Sequence, residues 1–388
     1  MSYRLALLSE IPLVQREGRF WTIDLWVKDL QAQVDAVRAV TLFSPVLDKA
    51  PADWALLPLP PTIKAVPLPA SASAIAAEVG ACDVVQIPGN STWKDARRSR
   101  AFARAARRAG KAVVLGISSD RATTHVVNAR GKSVLHRMRA QLRSWSVKMS
   151  QRHLARRSDG TFVVGEGLRR LVANASDNIF VGTASWIRAG DIVARQGQRA
   201  ADGVRLCVAA RLERMKGIHL ALEAMSTLAA RGSALKGRLL IAGQGPEESA
   251  LRSQVESLGL QADVEFVGTF AYPGPFLDFL RSQDVVVLTN LNDEQPRLVF
   301  DAISQGCLIV CPDSAPYRAL GLPAELMYAR GNAGALAEAI QRVASRLGDE
   351  ALRARLDAMS RDATIETMHE RRRDWISRTV VAVEQRGH

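Results

Sequence analysis

The sequence predicts an α/β protein built from two doubly wound, parallel-sheet domains in tandem. Three observations lead there. Short, nearly continuous apolar runs alternate with stretches of helical spacing, the pattern of strands covered on both faces by crossover helices. The alternation breaks at a polar stretch near 192–203, "IVARQGQRAADG", and then restarts. The length, 388 residues, also suits two or three domains.

In the first half, "YRLALLSEI" reads as a strand bounded by Pro12. "TIDLWVKDLQAQV" places Ile23, Trp26, Val27 and Leu30 at helical spacing. "VRAVTLFSPV" is a second strand, and a proline-rich loop is expected from 51 to 70. "CDVVQIPG" and "KAVVLGIS" are buried strands on either side of a very basic helix at 94–110. "GTFVVGEGLRRLV" runs from strand into helix, and "DNIFVGTASWI" closes this half. In the second half, "VRLCVAARL", "GRLLIAGQGP", "VEFVGTF", "DVVVLTN" and "CLIVCP" are the expected strands. The helices between them stop at glycines such as Gly232 and Gly259. The expected domains are 1–195 and 203–365, with a C-terminal helix of about 366–388 completing the first.

Composition narrows the function classes. Residues 1–200 hold 30 Lys and Arg against 15 Asp and Glu, a balance of +15; the remainder holds 22 against 24, a balance of −2. One half is therefore expected to meet an anionic partner. Cys82, Cys207, Cys307 and Cys311 sit in apolar surroundings without zinc-ligand spacing, so buried free thiols in a reducing compartment are expected. Residues 1–8 lack the length and flanks of a secretory signal, and no run reaches the ~20 apolar residues of a membrane span. A cytoplasmic protein, peripheral at most on the inner face of the plasma membrane, is the expectation.

The basic charge is concentrated. Residues 94–111 carry eight basic residues and one acid. Residues 130–157 place Leu135, Met138, Leu142, Trp145 and Met149 at three-four spacing among Arg137, Arg139, Arg143 and Lys148. The apolar stripe is expected to pack on the sheet, leaving the basic face solvated. The charge nevertheless favours an anionic membrane surface. Nucleic acid is not expected, because aromatics are not interleaved and no binding motif is present.

The chemistry concentrates in three loops of the second half, at the carboxyl ends of its strands. In "AARLERMKG", Arg211 offers a forked donor and Lys216 a point charge, a pair suited to a diphosphate or, alternatively, to plain solvation. In "AGQGPEE", Gly243 and Gly245 allow close backbone approach, which a tight strand-to-helix turn explains equally. In "NDEQPRLVFDAISQG", Pro296 opens a helix of about ten residues that Gly306 ends. Asp293 or Glu294 suits a helix cap. Asp301, between Phe300 and Ala302, needs a partner: Arg297, four residues back on the same face, or a ligand hydroxyl.

The order "ARLERMKG", "LLIAGQGP", "VEFVGT", then an acid, seven residues and a second acid, resembles glycosyltransferase family 4 over roughly 204–345. That resemblance implies a GT-B fold, two Rossmann-like domains facing a central cleft, and a retaining, nucleotide-sugar-dependent enzyme. It implies that Arg211 and Lys216 hold the donor diphosphate. Asp293, or Glu294 beside it, would face the sugar, and Asp301 would hold the ribose. Gly243, Gly245, Gln295, Pro296, Arg297 and Leu298 would line the donor site. Both acids are aspartate where the family has glutamate, and Glu294, Gln295 and Pro296 replace its glycine-rich stretch. Acceptor-side candidates are Gly18, Asp120 and His125, the last equally an ordinary surface histidine. The donor is expected to be UDP- or GDP-linked, with no cofactor. No Asp-x-Asp occurs, and no metal is expected. The implied function is sugar transfer to a glycan or lipid-linked acceptor in bacterial surface polysaccharide synthesis. The alternatives are a GT-B sugar-nucleotide epimerase and a weakly catalytic, membrane-associated scaffold.

Overall fold

The structure, a computed structural model, describes residues 3–34, 37–51, 54–193, 203–232, 237–293, 295 and 297–386. The chain divides into two compact units: Met1–Ala122 with Met138–Gly182 and Ile365–His388, and Thr123–Arg137 with Thr183–Thr364.

The first unit is built on seven strands: β1 (Arg4–Leu8), β2 (Ala39–Ser44), β3 (Ile63–Pro67), β4 (Val84–Pro88), β5 (Ala112–Ile117), β6 (Gly160–Val164) and β7 (Ile179–Gly182). They lie in the order β7-β6-β5-β4-β1-β2-β3, every neighbouring pair parallel. Both sheet faces are buried. One packs on the helix Arg97–Arg108 through Phe102 and Ala106. The other takes the C-terminal helix Ile365–Arg386 through Trp375, which stacks on Phe180 at 5.5 Å and donates to Asn178 Oδ1 at 2.6 Å. A small second sheet joins Val46–Leu47, Leu13–Arg16, Arg19–Ile23 and Leu56–Pro58.

The second unit continues with β8 (Val204–Ala209), β9 (Gly237–Ala242), β10 (Val264–Gly268), β11 (Val285–Val287), β12 (Leu308–Asp313) and β13 (Met327–Ala329), again all parallel, in the order β10-β9-β8-β11-β12-β13. Its core draws Leu206, Val208, Ile241, Val286 and Ile309 from the sheet, with Leu222 and Ile340 from the covering helices. The four cysteines are free and buried.

Two expectations are corrected. The stretch 51–70 is not a loop: it holds Leu56–Pro58 and β3. β3 is an edge strand and Pro67 is its last residue, so the missing proline N–H breaks no inner ladder. The stripe at 135–149 is not core. Leu135, Met138, Leu142, Trp145 and Met149 are exposed on the helix Val134–Ala155, and its buried face is made by Ala140, Ser144, Val147, Gln151 and Leu154. Val147 and Leu154 are its larger apolar members, and the longer apolar row is left outside. The linker residues 194–202 lie outside the described residues.

Candidate active site

Open parallel sheets bind ligands beyond the carboxyl ends of their strands, where the strand order reverses. In the second unit the reversal falls between β8 and β11. The loops after these strands carry Arg211, Lys216 and Asp293.

The two loops are tied together. Thr289 Oγ1 donates to the Lys216 carbonyl at 2.5 Å, and the Leu291 N–H donates to the Met215 carbonyl at 2.9 Å. Gly217 lies at the crossing with φ 65°, and a Cβ there would stand 2.3 Å from the Thr289 carbonyl oxygen. Backbone contacts thus fix half-buried Lys216 beside the segment leading to Asp293. Arg211 is exposed, with Nη1 2.8 Å from Glu213 Oε1.

Gly243 and Gly245 follow β9. A Cβ at these positions would stand 1.9 Å from the Ala210 carbonyl oxygen and 2.5 Å from that of Leu212. Leu212 N–H donates to Gln244 O, and Glu247 N–H to Leu212 O, each at 2.9 Å. These glycines let the β9 loop close against the Arg211 loop.

After β11, Asn290, Asn292, Asp293 and Gln295 are all buried. Asp293 Oδ1 is 2.7 Å from Arg330 Nη1. Gln295 Oε1 accepts from the Ala184 N–H at 3.2 Å. Among the described residues, Asn290 Nδ2, both polar atoms of the Asn292 side chain and Gln295 Nε2 have no hydrogen-bond partner. Burying such atoms unpaired costs about 1–3 kcal/mol each, so a cluster of them at the mouth of the sheet suits a polar ligand. Glu294 and Pro296 lie outside the described residues.

The helix expected to be about ten residues long is Leu298–Ser304, with Gly306 beyond it at φ 73°. Leu298 is half-buried at its start. Asp301 is fully buried, and both oxygens are engaged: Arg297 Nε lies 3.1 Å from Oδ2, and Tyr272 Oη donates to Oδ1 at 3.4 Å. The Arg297 guanidinium lies over the rings of Trp186, at 4.1 Å, and Tyr272, at 4.7 Å. Burial pushes the Asp301 carboxyl up to about 6 despite the pull of Arg297 and Tyr272. Burial, and then the charge of Asp301, hold the Tyr272 phenol far above its usual range.

The first unit has its own reversal, between β1 and β4. Ser91, after β4, donates to the Glu10 carboxylate after β1, and Asn90 Nδ2 donates to Ser118 Oγ at 2.9 Å. Arg121 Nη1 donates to the Asn90 carbonyl at 3.4 Å. Burial raises the Glu10 carboxyl above its ordinary value, against the charge of Arg121. Buried Asp120 follows β5. His125 is half-buried on the helix Arg121–Val127 and groups with the second unit. Gly18 is exposed at the tip of the hairpin between Leu13–Arg16 and Arg19–Ile23; Glu17 and Gly18 both have positive φ, the signature of a tight hairpin turn.

Sequence reasoning missed Arg330, Tyr272 and Trp186, because each meets its partner across a long stretch of chain, 37 residues for Arg330 and 29 for Tyr272. It also passed over Asn290, Asn292, Glu10 and Ser91, although polar residues just after apolar strands were visible as a signal. Among the described residues, no group of three or more His, Cys, Asp or Glu is placed to hold a metal ion.

Residues 193–362 match the family model described as glycosyl transferases group 1. No curated protein sequence matches the chain. HepE of Anabaena, crystallised with UDP, shares 13% identity over 97% of this chain and 100% of its own, at a TM-score of 0.65. Sucrose-phosphate synthase of Thermosynechococcus elongatus shares 18% over 98% and 97%, at 0.62. WaaG, a glycosyltransferase involved in lipopolysaccharide biosynthesis, shares 12% over 96% and 99%, at 0.59. The chain has the GT-B fold. The domain match and the fold together support a glycosyltransferase.

Proposed function

We propose that the protein is a retaining glycosyltransferase that moves a sugar from a nucleotide-linked donor to a glycan or lipid-linked acceptor in bacterial surface polysaccharide synthesis. The observation that carries this reading is the tie between the Lys216 turn and the loop bearing Asp293, made by Thr289 and Leu291 at the strand-order reversal. It sets a cation and a buried carboxylate on adjoining loops, as a sugar diphosphate requires. The crystallisation of HepE with UDP and the involvement of WaaG in lipopolysaccharide biosynthesis agree with it.

In this reading the second unit binds the donor and the first, through the polar cluster around Glu10 and Ser91, binds the acceptor. Lys216 and Arg211 take the diphosphate and stabilise the charge that grows on it as the bond to the sugar breaks. Asp293, held by Arg330, faces the sugar; Glu294 shares that role in the sequence-based reading. Asn292 and Gln295 supply hydrogen bonds to it. Asp301 acts through Arg297, fixing the guanidinium between two rings at the edge of the donor site. The acceptor oxygen forms its bond to the anomeric carbon on the face the diphosphate leaves, and passes its proton towards that leaving group. No protein nucleophile, cofactor or metal takes part.

The test is a panel of UDP- and GDP-sugars incubated with polyprenyl-linked acceptors, with the product's anomeric configuration read by NMR. The expected result is one donor consumed only with acceptor, giving a glycoside of unchanged configuration. Free nucleoside diphosphate with an epimerised sugar and no glycoside would sink transfer in favour of epimerisation.

A further inference from the structure

The helix Val134–Ala155 buries a partly polar face and leaves its more apolar face exposed. Met138, Leu142, Trp145 and Met149 are 59%, 66%, 64% and 40% exposed. At about 100° per residue these four fall on one strip, roughly opposite the buried row Ala140, Ser144, Val147, Gln151 and Leu154. Arg152 and Arg156, at the next two steps of the same spacing, continue the strip beyond Met149. They line a recess with Arg170, Leu171 and Asn174 from the helix Glu166–Val172 and the turn after it.

The strip lies between charges of one sign. By the same angular count Lys148 flanks it on one side and Arg139 on the other. No acidic residue occurs between Asp120 and Asp159. A large apolar strip bordered by bases, with a tryptophan among them, suits the boundary between lipid head groups and acyl chains. A second copy of the chain is a poor occupant, because it would bring the same basic rows to face these.

We propose that this face is a docking surface for an anionic lipid bilayer: Met138, Leu142, Trp145 and Met149 enter the interface, and Arg152, Arg156 and Arg170 take lipid phosphates. The proposal rests on exposed side chains of the first unit and is independent of the glycosyl-transfer reading, with which a lipid-linked acceptor would agree.

The full chain is floated with phosphatidylcholine vesicles, with and without phosphatidylglycerol. Wild type is expected to float with the anionic vesicles and to stay in solution with the neutral ones. Leu142→Glu with Trp145→Glu should weaken that partition by about tenfold or more. Arg152→Ala with Arg156→Ala should weaken it by about fivefold per charge. All four side chains are exposed, so melting temperature and the circular-dichroism spectrum should hold in every variant, which separates lost docking from lost folding. Wild type that ignores anionic vesicles overturns the proposal and turns attention to an acidic protein partner. So does partition unchanged by the Glu pair. Self-association of wild type that the Glu pair abolishes, without vesicle binding, reassigns the face to a second copy.

Discussion

Arg297 Nε and Asp301 Oδ2 lie 3.1 Å apart, four residues along one helix face, with the carboxylate fully buried and the guanidinium held over Trp186 and Tyr272. A carboxyl this enclosed titrates unlike one at the surface. The Asp301 carboxyl is raised from 3.8 to about 6, burial outweighing Arg297. Between those values the folded protein keeps a proton that the unfolded chain has released. This contribution therefore favours the fold below about pH 4 and is lost as pH rises to 6. Asp301→Asn removes it. Between pH 4 and 7 wild type should lose about 2–3 kcal/mol relative to the variant, read from urea unfolding at each pH. Parallel curves would contradict the buried titration.

Lys216 and Arg211 differ in setting although they share a proposed role. Arg211 forms an exposed pair with Glu213, of the kind worth about 0–1 kcal/mol. Arg211→Ala should leave the unfolding midpoint nearly unchanged and still lower kcat by about tenfold or more through the diphosphate. Lys216→Ala should cost about 100-fold or more. Equal activity of both variants and wild type would remove them from the site.

Gly243→Ala places a methyl 1.9 Å from the Ala210 carbonyl oxygen. Backbone on both sides cannot yield as a side-chain tip can, so a loss of at least about 2 kcal/mol is expected by chemical denaturation. Gly259→Ala is the control: its φ is 68°, but open space surrounds the new methyl, and about 1 kcal/mol should be lost.

Much of this was legible in the sequence. The parallel strands of both units announced themselves as apolar runs, and the four-residue spacing of Arg297 and Asp301 foretold their pairing. Periodicity could not say which side of Val134–Ala155 faces inward. Two rows share the helical repeat, and the smaller, partly polar one is buried. β3 was hidden by the prolines around it, since an edge strand tolerates what an inner strand would not. Arg330 was invisible because its bond to Asp293 depends on β13 lying beside β12, two strands from β11, a relationship of topology rather than spacing.

That bond makes its own prediction. Arg330→Ala leaves the Asp293 carboxylate without its 2.7 Å partner. Stability should fall by about 1–3 kcal/mol, and donor turnover should fall with it. Asp293→Asn with Arg330→Ala should cost less than the sum of the single losses, as residues in one pair couple. Strict additivity in both stability and turnover would separate the two residues.

The most direct measurement is calorimetric titration of UDP and GDP into wild type and into Lys216→Ala. The account predicts saturable binding of at least one of them to wild type, weakened about tenfold or more when the lysine is gone, since a charge-assisted hydrogen bond contributes about 1.5–3 kcal/mol. Wild type that binds neither nucleotide, or a variant that binds as tightly as wild type, would contradict a diphosphate site at the β8–β11 reversal.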